Sequence, residues 1–248
     1  MIESWDVKIP AFDRDKKRKA YVYLPAGYEN GGRFPVMYMF DGHNLFSDGE
    51  ATYGKSWGLS QYLDGNKTPL IIAAVECNRS GNERLSEYSP VNFERGGEKI
   101  KGRGKKYMDW LVKTFKPYID ANYNTMPDRK NTAVGGSSMG GLMTLYALSV
   151  YSKYFSRGAA LSPSLWVYGG VPDFVKNAKY KADTRLYMDY GSKEFKNNSS
   201  RIAFFSETVS ALIQKNVCLT SRIVPDGTHS EASWEKQIPY FINVLFGN

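Results

Sequence analysis

The segment that most constrains the fold is a Gly/Ser-rich turn that separates two apolar stretches. Thr132-Ala133-Val134 before it is typical of a buried strand, and Leu142 to Leu148 after it is typical of a helix. Between them, Gly135 to Gly141 contains the pattern G-x-S-x-G centred on Ser138. Such a turn lifts a serine hydroxyl above the sheet edge on a strained backbone, so the segment predicts a nucleophile elbow.

The rest of the chain alternates short β-branched runs with longer helical patterns, which predicts a mostly parallel sheet flanked by helices, an α/β fold. With 248 residues, no repeat and no linker, we expect one domain over residues 1–248. Strands are predicted at 20–24, 36–40, 70–75, 132–135, 158–161, 185–190 and 218–224. Helices are predicted at 105–122, 139–151, 199–215 and 233–246, with Pro239 kinking the last. Residues 90–105 are Gly-rich and predict a surface loop, or a mobile loop over the site.

The net charge of +8 does not by itself indicate a nucleic-acid partner. The densest basic stretch, Lys99 to Lys106, is short and Gly-rich, and no nucleic-acid recognition motif accompanies it. We interpret it as a solvated loop; the alternative is that it attracts an anionic substrate.

The location of the protein and its lack of a metal are predicted from sequence patterns that the chain does not contain. No apolar run is long enough to span a membrane, and the first residues carry no signal-peptide pattern. Cys77 and Cys218 are expected to be buried free thiols, which favours a cytoplasmic location. Two histidines and no H-E-x-x-H pattern leave too few ligands for a metallohydrolase, so we expect no metal.

A serine needs a base to take its proton and a carboxylate to orient that base. The chain has two histidines, and only His229 follows Ser138, as the Ser–acid–His order of the hydrolase fold requires. For the acid, Glu194 lies in a turn after a predicted strand, whereas Asp189 lies within that strand. Glu194 is therefore predicted, with Asp189 as the alternative; Asp226 is a third candidate that we expect to shape the histidine loop.

The tetrahedral intermediate needs donors for its oxyanion. The N–H of Met139, directly after Ser138 at the start of a helix, is one predicted donor. The second is predicted in the loop Asp41 to Phe46, where Gly42 allows the N–H of His43, or of Asn44, to turn toward the site. Asn44 is also a candidate substrate-binding residue.

Several motifs, in chain order, resemble the putative-esterase family of α/β-hydrolases, which includes feruloyl, acetyl-xylan and enterochelin-type esterases and S-formylglutathione hydrolases. They are found at residues 38–46, 84–90, 116–120, 135–142, 161–166, 191–194 and 229–234. The resemblance implies an α/β-hydrolase fold and a cofactor-free acyl-enzyme mechanism, with Ser138, His229 and Glu194 as its nucleophile, base and acid. Relatives often carry Asp at the acid position, and some work as a Ser–His pair.

Further side chains are expected near the pocket. The resemblance places Trp166 where it could stack on an aromatic acyl group or a sugar, with core packing as the alternative. Trp57 and Trp234 are interpreted as packing residues. Arg84 and Glu87 are candidates for an ion pair that braces a loop, or for a plain surface pair.

Together these observations predict a serine carboxylesterase acting on a small-molecule or oligosaccharide ester, such as an acetyl or feruloyl ester of a carbohydrate or a siderophore ester. Two alternatives remain open: an acyltransferase with the same residues, and a non-catalytic binding protein that has kept the fold. The scaffold hosts many substrates, so the sequence does not identify the acyl or alcohol group.

Overall fold

The computed structural model describes residues 1–12, 17–196 and 198–247. Contacts between residues divide the chain into two compact units, Met1–Ala133 and Val134–Asn248. No helix in the described ranges is both long and apolar enough to cross a membrane.

The first unit is built around four strands in the order β1-β2-β4-β3. β2 pairs antiparallel with β1 and β4, and β3 pairs parallel with β4. Their bounds are β1 Ile2–Val7, β2 Arg18–Tyr23, β3 Val36–Met39 and β4 Ile71–Val75, followed by a small hairpin of β5 Phe93–Arg95 and β6 Glu98–Ile100. The helices are α1 Leu59–Gly65, α2 Glu83–Glu87, α3 Gly104–Trp110 and α4 Lys116–Asn122.

The second unit contains the strand order β7-β8-β9-β10. β9 pairs parallel with both β8 and β10, which places the carboxyl ends of these strands at one edge. The strands are β7 Thr132–Ser137 (which begins two residues before the unit boundary), β8 Arg157–Leu161, β9 Arg185–Gly191 and β10 Cys218–Val224. The helices are α5 Met139–Val150, α6 Asp173–Asn177, α7 Ser199–Ile213, α8 Glu231–Glu235 and α9 Ile238–Phe246.

Helix α5 follows β7 directly and is buried on every side from Met139 to Leu148. A helix that is apolar all round belongs in a core, and its first turn is packed closely. A side chain at Gly141 would place its Cβ 2.8 Å from the carbonyl oxygen of Leu161, so only glycine fits this close approach. The predicted strand–turn–helix over residues 132–151 is therefore confirmed.

The predicted helix over residues 105–122 is also confirmed, with one irregularity. A π-helical segment, Leu111–Phe115, joins α3 to α4 without interrupting the helix. The predicted apolar stripe is buried throughout: Met108, Leu111, Val112, Phe115 and Ile119. The apolar residues recur with the helical period of 3.6 residues, and this repeat predicted the buried face. The π-helical segment has more residues per turn, but the same side chains remain buried.

The prediction of a single kinked helix over 233–246 is wrong. The structure has two helices, α8 and α9, separated at Lys236 and Gln237. Pro239 lies in the first turn of α9, where its missing N–H costs no intrahelical hydrogen bond. Proline therefore begins the second helix here and does not kink a continuous one.

Several short elements of the first unit were not predicted: the helices α1 and α2, which span only seven and five residues, the strand β1 and the hairpin β5–β6. β1 is an exposed edge strand, so its residues lack the apolar alternation of a half-buried strand. The hairpin β5–β6 lies within the Gly-rich segment 90–105, with Gly96 and Gly97 both at positive φ in its turn. Three-residue strands are too short to give a periodic signal.

The burial of the two cysteines is predicted correctly for only one of them. Cys77 is a buried free thiol, whereas Cys218 is free and exposed. Cys218 is the first residue of β10, the last strand of the order β7-β8-β9-β10, so it lies on an edge strand. An alternating strand pattern does not distinguish an edge strand from a central one.

Candidate active site

Ser138 lies at the turn between β7 and α5, on the strained backbone expected of a nucleophile elbow. Its φ of 58° and ψ of −119° lie outside the regions that non-glycine residues favour. Hydrogen bonds on both sides hold this conformation: Ser138 N donates to Leu161 O at 2.9 Å, and Ser164 N donates to Ser138 O at 3.0 Å. Ser138 Oγ lies 3.3 Å from Ser164 Oγ. The strain is therefore maintained by the last residue of β8 and the chain that follows it.

Glu194 and His229 are brought together from two different loops. Glu194 lies in a 3-10 turn, Ser192–Phe195, after β9, and His229 lies between β10 and α8. The Nδ1 atom of His229 is 2.6 Å from Oε2 of Glu194. The carboxylate is buried, whereas the imidazole is 43% exposed. With Nδ1 donating to the carboxylate, Nε2 is the nitrogen left to accept a proton.

The second oxygen of Glu194 has two donors. Ser162 Oγ donates to Oε1 at 2.6 Å, and Gly191 N donates to the same atom at 2.9 Å. Burial alone would raise the pKa of the Glu194 carboxyl. The hydrogen bonds from His229 and Ser162 outweigh that effect and hold its pKa below the usual value. Glu194 is therefore ionised at neutral pH and able to stabilise an imidazolium.

Asp189, the alternative acid, lies in β9 and faces other partners. Tyr187 Oη donates to its Oδ2 at 2.8 Å, and Ser162 N donates to its Oδ1 at 3.3 Å. Burial raises the pKa of the Asp189 carboxyl to about 7, and the nearby charge of Glu194 acts in the same direction. Within the described residues, no hydrogen bond joins Asp189 to His229.

The loops that carry the acid and the histidine are in close contact with each other. Lys193 N donates to Gly227 O at 3.0 Å, and Asp226 N donates to Ser192 Oγ at 2.9 Å. Asp226 itself is exposed, has a positive φ of 55° and lies 3.2 Å from the ammonium of Lys193. This position fits the expectation that Asp226 shapes the turn.

No hydrogen bond joins Ser138 to His229 among the residues that the structure describes. Without substrate, catalytic hydrogen bonds are often long or poorly aligned. Ser138 and His229 both follow strands of the order β7-β8-β9-β10, and ligand sites of α/β sheets lie at the carboxyl ends of strands. Met139 is the first residue of α5, and the first N–H groups of a helix have no acceptor within it.

His43 belongs to the first unit and is buried in a 3-10 turn, Gly42–Asn44. Its Nε2 atom lies 2.8 Å from Thr52 Oγ1, and Asn44 Oδ1 accepts from Thr52 N at 2.9 Å. Burial lowers the pKa of His43, so a neutral ring is favoured there. Gly42 is required at this turn because a Cβ would lie 2.9 Å from the ring of Tyr21.

The expected pair of Arg84 and Glu87 is not formed. Arg84 binds both oxygens of Asp41 at 2.7 Å, and Glu87 pairs with Arg18 at 2.8 Å. Asp41 has a positive φ of 57° at the start of the His43 turn, so Arg84 braces that turn through a different carboxylate. Arg84 and Glu87 are three apart on α2, but each pairs with a buried group of opposite charge from another segment, Arg84 with Asp41 and Glu87 with Arg18.

The tryptophans differ in their surroundings. Trp166 lies in a short 3-10 helix, Leu165–Val167, and is partly exposed, whereas Trp57 is buried. Trp234 is also buried, but its ring meets that of His229 edge to face at 5.1 Å, and its Nε1 donates to Ser162 Oγ. Sequence reasoning assigned no role to Ser162 or Ser164, although both are in the motif at 161–166. The only sequence feature that could have indicated a role for these two serines is their position just after the predicted strand 158–161.

Within the described ranges, no three His, Cys, Asp or Glu side chains are grouped as a metal site would need.

Comparison with known proteins identifies the family. The sequence model of the family described as Putative esterase matches residues 13–241. The chain belongs to this esterase family. It is accordingly a carboxylic ester hydrolase.

Two relatives and one solved structure are similar to this chain. YbbA of Bacillus subtilis (strain 168) is 26% identical over 189 residues, which cover 74% of this chain and 71% of YbbA. An endo-1,4-beta-xylanase/feruloyl esterase of Xylanibacter ruminicola is 26% identical over 239 residues, which cover 93% of this chain but only 30% of that enzyme. The siderophore hydrolase EstA from Aspergillus nidulans is similar in structure, with a TM-score of 0.71, 17% identity and coverage of 98% of this chain and 94% of EstA. This likeness shows the fold that the sequence predicts: an α/β hydrolase with a mostly parallel sheet flanked by helices.

Proposed function

We propose that the esterase hydrolyses its substrate through an acyl-enzyme on Ser138, with His229 as the base and Glu194 as the orienting acid. The observation that carries the proposal is the 2.6 Å contact between His229 Nδ1 and Glu194 Oε2. This contact fixes the tautomer in which Nε2 can accept a proton, and the ionised carboxylate stabilises the imidazolium that results.

The first half of the reaction transfers the acyl group. Ser138 Oγ attacks the ester carbonyl carbon while its proton passes to Nε2 of His229. The carbonyl electron pair moves to oxygen, and the N–H of Met139 is proposed to bind this oxyanion, with the N–H of His43 as the second donor. Collapse of the intermediate breaks the bond to the alcohol, which leaves with the proton from His229.

The second half returns the enzyme to its first state. Water attacks the acyl carbon and gives a proton to His229, and the carboxylic acid departs as Ser138 recovers its hydrogen. Ser138 Oγ lies 3.3 Å from Ser164 Oγ, and we propose that its hydrogen is directed to His229 when substrate binds.

For the substrate we propose an ester of a small molecule or oligosaccharide, either an acetyl or feruloyl ester of a carbohydrate or a siderophore ester. Support comes from the names of the similar proteins, a feruloyl esterase and a siderophore hydrolase. Trp166, partly exposed in the segment that follows Ser164, and Asn44 are the proposed substrate-binding residues. A cytoplasmic location stays a prediction.

A fluorophosphonate probe tests this proposal, because it phosphonylates only an activated serine. We expect one adduct, found by peptide mass spectrometry on Ser138, with no adduct on a Ser138→Ala variant. An adduct on another serine, or none on a folded protein that hydrolyses esters, would contradict the proposal. Adding competing alcohols to the ester assay distinguishes hydrolysis from acyl transfer, and we expect free acid as the main product.

A further inference from the structure

Ser162 lies directly after β8 and has an unusual backbone. Its φ of 43° is in the left-handed region, and its side chain is 1% exposed. The backbone N–H donates to Asp189 O at 2.9 Å, which ties this conformation to the neighbouring strand β9. Backbone strain persists only where the surrounding structure imposes it, so a strained, buried serine beside an acid is a candidate for a specific role.

The hydroxyl of Ser162 connects Trp234 to Glu194. Trp234 Nε1 lies 3.0 Å from Ser162 Oγ, and Ser162 Oγ lies 2.6 Å from Glu194 Oε1. An indole N–H can only donate, and an ionised carboxylate can only accept. The hydroxyl must therefore accept from Trp234 and donate to Glu194, so the direction of both hydrogen bonds is fixed.

Trp234 also touches the base itself. Its ring meets the imidazole of His229 at 81°, with the centroids 5.1 Å apart. Trp234 lies on α8, which begins two residues after His229, so one buried side chain contacts both the histidine and the hydroxyl that holds the acid.

We propose that Ser162 and Trp234 are positioning residues that fix the plane of the Glu194 carboxylate, so that Oε2 points at His229 Nδ1. This inference rests on the proposed roles of Glu194 and His229. Without the Ser162 hydroxyl, the N–H of Gly191 is the one donor to Oε1 that remains within the described part of the chain. The carboxylate can then rotate, and His229 spends less time in the productive tautomer.

A double-mutant cycle tests whether the two residues act together. Ser162→Ala removes the hydroxyl, and Trp234→Phe removes the N–H but keeps a ring against His229. We expect Ser162→Ala to lower kcat roughly 10- to 100-fold with KM little changed, as loss of a hydrogen bond to a charged group predicts. Trp234→Phe is expected to lower kcat less, and to have no further effect when Ser162 is already Ala.

A matched control is available in the first unit. Trp110 is buried, and its Nε1 has no hydrogen-bond partner among the residues that the structure describes. Trp110→Phe therefore makes the same substitution without removing a hydrogen bond, and kcat should stay at the wild-type value.

The proton on His229 Nδ1 gives a readout that simple loss of packing would not change. Its NMR resonance lies far downfield when a carboxylate accepts it. We expect this resonance to move upfield or broaden in Ser162→Ala and, to a lesser degree, in Trp234→Phe. If Ser162→Ala fails to fold, the Trp234→Phe spectrum and kinetics decide the question alone.

Two results would overturn the inference: an unchanged resonance with unchanged kcat in the folded variants, or losses that simply multiply in the double variant. Fluorophosphonate labelling separates this failure from failure of the proposed function. Wild-type protein labelled at Ser138, with unaffected variants, contradicts only the role of Ser162 and Trp234, whereas wild-type protein without the label contradicts the proposed function.

Discussion

At the scale of single residues, the decisive pair is Glu194 and Asp189, two buried carboxyls in opposite environments. Glu194 accepts hydrogen bonds at both oxygens and has a lowered pKa, whereas the pKa of Asp189 is raised to about 7. Of these two carboxyls, only that of Glu194 is hydrogen-bonded to His229. Environment, and not residue type, therefore separates a group that supports an imidazolium from one that favours the neutral form below pH 7.

Replacing each carboxyl by its amide tests this distinction. Glu194→Gln places an amide against Nδ1 and removes the charge, so we expect kcat for p-nitrophenyl acetate to fall by roughly 10²- to 10⁴-fold. Asp189→Asn resembles the neutral acid and can keep its contacts with Tyr187 and Ser162, so kcat should change only slightly. If Asp189→Asn alone loses orders of magnitude, Asp189 is the acid.

The sequence predicted Ser138, His229 and Glu194 as candidates because chain order and loop position restrict the choice among few residues. It did not predict the partners of Glu194. Ser162 and Trp234 lie in distant segments, and only the parallel pairing of β8 with β9 brings Ser162 to the acid. The predicted partner of Arg84, Glu87, was wrong for the same reason. Spacing along the chain cannot show that Asp41, more than forty residues away, lies beside Arg84.

At the scale of elements, the site depends on how the turn after β9 packs on the loop after β10. A Cβ on Gly191 would lie 2.3 Å from the carbonyl carbon and oxygen of Gly227. No side chain fits that gap, so the two loops touch through their backbones. Glycine at this position sets the distance between the loop of Glu194 and the loop of His229.

Gly191→Ala should therefore push these loops apart. We expect it to destabilise the protein by about 1–3 kcal/mol, as overpacking does, and to lower kcat more than KM changes. Gly65→Ala is the control, since a Cβ there meets nothing within 4 Å and Gly65 ends helix α1. Urea unfolding and ester kinetics measure both effects, and equal behaviour of the two variants would contradict the account.

Elements with a long apolar or β-branched pattern were predictable, whereas the short helices α1, α2 and α6 and the strands β1, β5 and β6 were not. The helices that begin at Gly104 and Met139 carry apolar patterns long enough to read, as do the buried strands. The edge strand β1 and the hairpin β5–β6 carry no such pattern. The break between α8 and α9 was missed because proline in a first turn looks the same, in sequence, as proline within a helix.

For the molecule as a whole, the net charge of +8 has two interpretations from sequence. The basic segment is either a solvated loop or a region that attracts an anionic substrate. Lys99, Lys101, Lys105 and Lys106 are all exposed, as a solvated basic segment should be. A net positive charge raises the encounter rate with anionic ligands, and salt screens that effect.

Salt dependence should therefore differ between substrates. We expect kcat/KM for an anionic ester, such as a mono-p-nitrophenyl ester of a dicarboxylic acid, to fall as NaCl rises from about 10 mM to about 500 mM. The neutral p-nitrophenyl acetate serves as the control and should be little affected. Identical salt profiles for the two esters would support the interpretation of a solvated loop without a role in attraction.

The proposed nucleophile of this esterase is the hydroxyl of Ser138, and the decisive measurement is the turnover of p-nitrophenyl acetate by a Ser138→Ala variant. Alanine keeps the Cβ of serine, so the strained elbow changes little and only Oγ is lost. We predict a loss of roughly 10⁴-fold or more in kcat with an unchanged circular dichroism spectrum. A folded Ser138→Ala protein that keeps most of the wild-type turnover would contradict the claim.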